Sequence, residues 1–270
     1  MRIATLLLIS AFFILSMVAP RVAQAQLFLE EGKVVLSVSP GERVNRSLTI
    51  DNTSKDEMDV RVYWEDFQYE SPFDGTKKFL PAGTVPGSAS SWIQYMPQEF
   101  KIQPSQKQRI DYTINVPSDI QGGHYGVLFF EKSGGAVIDE KAIKIVTRIG
   151  CLFFIEAKDG DKRAAIGNVL LAGSDLTGTF TNSGNVVLIP RMTYYMMDDS
   201  GMVVDRGELA KLYVPAGAAA SLKVALSKDL SAGHYSLVLN ADLDGGDIVV
   251  KEITLQKTSS GEFLVEKVQD

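Results

Sequence analysis

The sequence writes one stretch twice. Gly122-Gly123-His124-Tyr125-Gly126-Val127-Leu128-Phe129-Phe130 returns as Ala232-Gly233-His234-Tyr235-Ser236-Leu237-Val238-Leu239-Asn240. In each copy a glycine turn delivers a Tyr onto an alternating run, so Tyr125, Val127 and Phe129 share one strand face, as do Tyr235, Leu237 and Leu239. The echo extends upstream. Ile110, Tyr112, Ile114 and Val116 precede the first copy; Leu222, Val224 and Leu226 precede the second. Further back, Asp51-Asn52-Thr53-Ser54 answers Thr181-Asn182-Ser183-Gly184. The Asn residues are 130 positions apart and the His residues 110, so the first copy carries about twenty extra residues between these landmarks, a long loop on a shared scaffold.

A chain built this way folds as two related all-β domains. Alternation recurs at Val34, Leu36 and Val38, at Leu48 and Ile50, and at Val60, Val62 and Trp64, with turn residues every eight to twelve positions. The expected fold is two tandem immunoglobulin-like β-sandwiches. The first spans 26–157, a linker 158–163, the second sandwich 164–257, and 258–270 is a polar tail. Residues 67–91 form the extra loop, holding short extended pieces and a hairpin turn at Asp74-Gly75.

Residues 1–25 read as a cleaved signal peptide: Arg2, an apolar run from Ala4 to Val18, then Ala23-Gln24-Ala25. No cysteine follows the cleavage site closely enough for a lipid anchor, and no later run spans a bilayer, so a periplasmic or secreted chain without a transmembrane segment is expected. Losing Arg2 and Arg21 leaves 25 of the 27 bases against 33 acids, a net charge of about −8, which disfavours nucleic acid as a partner. The single cysteine, Cys151, sits in an apolar strand and reads as a buried structural residue, so no internal disulfide forms.

No nucleophile, metal or nucleotide motif appears, so no enzyme, no catalytic residue, no metal and no cofactor is expected. The two histidines precede matching tyrosines in separate domains. That placement predicts a structural role at the strand entry, with the Tyr hydroxyl tied down as in a tyrosine corner. Tyr69, Phe73 and Phe79 in the extra loop either pack onto their own sheet or form a recognition surface.

Gly32-Lys33-Val34-Val35-Leu36, Ser47-Leu48-Thr49-Ile50-Asp51-Asn52, Pro97 to Tyr112 and Thr147-Arg148-Ile149-Gly150-Cys151-Leu152-Phe153-Phe154 together resemble the periplasmic pilus chaperones of the PapD type, over about Leu27 to Ala157. Two-domain envelope proteins such as WxL-interacting proteins, with a peptidoglycan-binding immunoglobulin-like domain, read similarly, although no C-terminal membrane anchor like theirs is expected here. The chaperone resemblance implies that a client's terminal carboxylate is gripped by one cation on the first strand and one on the last. The first falls on Lys33. The second falls on Gly150, with Arg148 as its substitute on the same face, and Ile143 and Ile145 as apolar client contacts. The expected function is a non-catalytic exported binding protein that assists assembly of a surface or secreted polypeptide by β-strand addition. The alternative is an envelope or adhesion module that binds a surface protein or cell-wall polymer.

Overall fold

The computed structural model describes residues 27–133 and 146–269, and within them the chain is built from strands. The first half contains β1 (Leu27–Leu29), β2 (Lys33–Val38), β3 (Arg43–Asn52), β4 (Met58–Tyr69), β5 (Lys77–Pro81), β6 (Ile93–Met96), β7 (Glu99–Ile102), β8 (Lys107–Asn115), β9 (Gly123–Lys132) and β10 (Arg148–Ala157). The second contains β11 (Ala164–Ala172), β12 (Asp175–Asn182), β13 (Arg191–Asp198), β14 (Val203–Glu208), β15 (Ala219–Ala225), β16 (Gly233–Asp242), β17 (Ile248–Lys257) and β18 (Phe263–Gln269). Among the described residues no helix is long and apolar enough to cross a membrane.

Each half is a two-sheet sandwich. In the first, the sheet β1-β3-β8-β6 faces β2-β10-β9-β4-β5, with β7 sharing the edge of β4. The first-strand segment serves both layers. β1 pairs antiparallel with β3, then the chain crosses at Glu30–Gly32 and β2 runs parallel to β10. In the second, β11-β12-β15 faces β14-β13-β16-β17-β18. Period-two alternation explains both cores: Val34, Leu36, Val38, Val60, Val62 and Trp64 point inward in the first, and Leu176, Phe180, Leu222 and Val224 in the second.

The duplicated asparagines do the same work in both halves. Asn52 donates its side-chain amide to the carbonyls of Asp56, Ile102 and Gln103, while its Oδ1 accepts from Ser54. Asn182 donates to Val186 and Val214, while its Oδ1 accepts from the Gly184 amide. Both are fully buried, so each replaces water for backbone groups at a strand end.

The repeated Gly-His-Tyr strand, however, is read in opposite phase. In β16, Tyr235, Leu237 and Leu239 enter the core, and the Tyr235 hydroxyl donates to the Ser231 carbonyl at 2.7 Å, the corner expected from sequence. In β9 it is Leu128 and Phe130 that enter the core, while Tyr125, Val127 and Phe129 lie on the opposite face. His124 therefore takes the inward place. Its ring packs against Trp92 at a tilt, with centroids 4.2 Å apart, and its Nε2 lies 3.1 Å from the Gln121 carbonyl. Burial pushes its pKa down, outweighing that carbonyl. His234 instead points outward to Glu266. The two strands are entered differently: Gly122 adopts φ 65°, whereas Ala232 at the corresponding place carries a side chain and no positive φ. A one-residue change of phase swaps faces completely.

Two segments depart from the sequence reading. Phe263–Gln269, expected in a polar tail, is β18, held because Phe263 is buried opposite Lys257 while β17 supplies the ladder. The expected 67–91 loop begins later, since β4 runs to Tyr69, and it contains β5. Its remainder folds over buried Asp66, whose carboxylate accepts from Trp64 Nε1, the Thr84 and Val85 amides and Ser88 Oγ. Among the two alternatives for the loop aromatics, Tyr69 is buried between its own sheet and Tyr213 of the second half, Phe73 packs toward the second half, and Phe79 is 38% exposed.

Candidate functional site

The phase of β9 creates an apolar outer face on the first sandwich. Phe67, Tyr69, Val127, Phe129 and Phe154 form one buried cluster there, and Val187, Ile189 and Tyr213 of the second sandwich pack against it. Backbone hydrogen bonds fasten the contact. The Gly123 amide donates to Asn185 O, the Val187 amide to the Tyr125 hydroxyl, and the Tyr213 amide to Phe73 O, at 3.0, 2.7 and 2.8 Å. Tyr69 and Tyr213 stack at 5.1 Å between centroids.

Beside this junction the β10 edge is half open. β2 covers β10 only from Leu152 to Ala157, beginning where the Leu152 amide donates to Gly32 O. N–H and C=O groups of alternate residues point to the same side of a strand, so those of Arg148 and Gly150 face the same edge as those of Leu152. Among the described residues no strand pairs with that edge. On the core side, Cys151 is fully buried and burial pushes its thiol up to about 12, which makes it a packing group and no nucleophile.

Lys33 stands where the open edge ends. It is opposite Leu152 in the register, and its Nζ lies 4.3 Å from the centroid of the Phe154 ring. Two further amines converge on the same aromatic floor. Lys77 Nζ is 4.9 Å from the Tyr69 centroid and 5.7 Å from Tyr213; Lys211 Nζ is 5.5 Å from Tyr213. Burial, and then the charge of Lys33, hold the Lys77 pKa below its ordinary value. Among the described residues none of these three amines is in an ion pair. Neighbouring Glu156 has its pKa raised, mainly by burial, with Lys162 and Lys33 acting the other way. A cleft of about 440 Å³ opens next to Lys33, with Arg191, Glu208, Lys211, Asp242 and Asp244 on its walls. The arrangement sets amines against aromatic faces without a direct ion pair, while Glu208, Asp242 and Asp244 share the walls of the cleft.

Arg148 does not join Lys33. It lies four residues before Leu152, roughly 13 Å along the strand from the Lys33 position. Its side chain crosses β9 toward β4, where Nη1 donates to Glu65 Oε1 at 3.0 Å and to the Tyr63 hydroxyl at 3.1 Å. The structure thus does not bring Arg148 to Lys33, because Arg148 is held by the Glu65 carboxylate; the cations near Lys33 include Lys77 and Lys211. Ile143 and Ile145 lie outside the described residues. Lys77 and Lys211 had no sequence signal as site residues. Each is an ordinary lysine until the fold carries β5 and the second sandwich to the same place.

No protein-family model matches the sequence, and no curated protein matches it. Solved structures do resemble it. A chain of the chaperone–tip adhesin complex for CFA/I fimbriae biogenesis superposes with a TM-score of 0.52 at 12% identity, covering 84% of this chain and 97% of that one. The class 5 fimbriae chaperone CfaA gives 0.51 at 11% identity, over 83% and 97%. The likeness is one of fold: two tandem immunoglobulin-like sandwiches.

Proposed function

We propose that this protein is an exported, non-catalytic assembly factor that holds a client polypeptide by β-strand addition at the open half of β10. On this reading the leader is cut after Ala25 and the chain works in the periplasm. The observation that carries the reading is the adjacency of a strand edge that no described residue pairs with and a group of lysines that make no direct ion pair. An incoming strand beside Arg148–Cys151 has a fixed stopping point, because β2 occupies the next place in the sheet from Lys33 onward. A strand running parallel to β10 brings its carboxyl end to Lys33, whereas an antiparallel one brings an amino end, which the lysines repel. Charge therefore selects a parallel client with a free terminal carboxylate. Lys33 and Lys77 are the amines assigned to it, and Lys211 brings the second sandwich into the grip. The fold likeness to fimbrial chaperones supports a protein client.

The test is capture of the polypeptide that co-purifies from the native periplasm, identified by mass spectrometry and remade with a free or an amidated terminus. Two charge-assisted hydrogen bonds contribute on the order of 3 kcal/mol, so amidation, or Lys33→Ala with Lys77→Ala, weakens capture about a hundredfold. Equal affinity for the free and amidated termini sinks the carboxylate grip.

A further inference from the structure

We infer that Arg148 is a positioning residue which holds the open half of β10 ready before any strand arrives; this rests on reading that edge as the place of capture. A strand end with a neighbour on one side only frays, since each lost backbone hydrogen bond there is replaced by water. Arg148 opposes the fraying through its side chain. The guanidinium carbon lies 3.9 Å from the centroid of Phe129 and 5.5 Å from that of Phe79. The same group is bonded to Glu65 on β4, two strands away, and to the Tyr63 hydroxyl, which donates in turn to Glu131 at 2.8 Å. Glu131 is the residue opposite Arg148 on β9. One side chain thus ties the first residue of β10 across β9 to β4.

Gly150 completes the arrangement. A Cβ there would fall 2.6 Å from Val127 Cγ2 and 2.9 Å from Phe129 Cε1. The absence of a side chain lets Phe129 lie over β10, and Arg148 closes over Phe129 from outside. The two residues whose backbone groups face the open edge are therefore the two that build this clasp. The Arg148 side chain keeps 36% of its surface exposed and Glu65 only 23%, so the ion pair is partly shielded from water. The device fits an extended polypeptide as partner, because what it holds straight is backbone.

The full exported chain carries the test. The amides of Ile149 and Cys151 face β9 by alternation, in the half of β10 that lacks β2; those of Phe153 and Ile155 face β9 under its cover. In Arg148→Ala, hydrogen exchange at Ile149 and Cys151 rises about tenfold or more, while Phe153 and Ile155 stay as in the wild type. Arg148→Lys keeps the charge but loses the planar fork, and falls between the two. An acetylated peptide of alternating Val and Thr with a free carboxylate serves as the strand probe. Its association rate falls about tenfold in Arg148→Ala, with a smaller change in dissociation. Unchanged exchange at Ile149 and Cys151, or raised exchange with an unchanged association rate, overturns the role given to Arg148. A wild-type chain that captures no strand overturns the capture reading instead, and the exchange result then decides on Arg148 by itself.

Discussion

Asn182 has no contact with water, yet its amide serves two carbonyls from different loops and its oxygen one backbone amide. Truncating it strands all three partners, and each buried group left unpaired costs about 1–3 kcal/mol. Asn182→Ala is expected to lower stability by about 3 kcal/mol in denaturant unfolding, with the m-value unchanged; a loss under ~1 kcal/mol would mean that water replaces the side chain. At this scale the sequence exposed the repeat but not its use. Asn52 and Asn182 stood out by flanking pattern, and their long-range bonds could not be seen because those acceptors lie 32 to 51 residues away. His124 and His234 misled in the other direction. Identical neighbours suggested identical places, whereas the backbone at Gly122 turns one inward and leaves the other outside.

Among the elements, strands with strict alternation were legible, because a buried face leaves its period in the residues. β14 and β18 were not. Val203-Val204-Asp205-Arg206-Gly207-Glu208 has no period of two, and β18 hides a single fully inward residue, Phe263. An edge strand covered on one side needs little pattern to be held by its neighbour's ladder. The long segment after β4 owes its order to one carboxylate. Four donors meet on Asp66, and three of them come from Thr84, Val85 and Ser88. Asp66→Ala is expected to open Thr84–Ser90 to limited proteolysis at protease levels the wild type survives, at a cost of about 2–4 kcal/mol. Persistent resistance in that variant would assign the loop's order to apolar packing around Ala89.

For the whole molecule, the proposed site was legible only in part. Lys33 entered through the family resemblance. Its companions did not, since they reach it from β5 and from the second sandwich, and no local pattern records a meeting between distant segments. The two sandwiches also differ in the outer face of the repeated strand. The second keeps His234, Ser236 and Asn240 on its outer face, while the first presents Tyr125, Val127 and Phe129. A fragment from Asp161 to Gln269 is expected to unfold cooperatively and stay monomeric in sedimentation. One ending at Lys257 lacks β18 and melts several degrees lower. If the longer fragment has no cooperative transition, the second sandwich depends on the first for its fold.

The opposite phase of the twin strands also sets an order of events in the life of the chain. Synthesis runs from the N-terminus, so the first sandwich can close its core while its cover is still unmade. For that interval a nascent chain carries a bare aromatic shelf, with side chains such as Phe67 and Phe154 each forgoing about 2 kcal/mol of burial. The last hundred residues are thus more than a second copy: they are the lid without which the earlier half is a hazard to its neighbours.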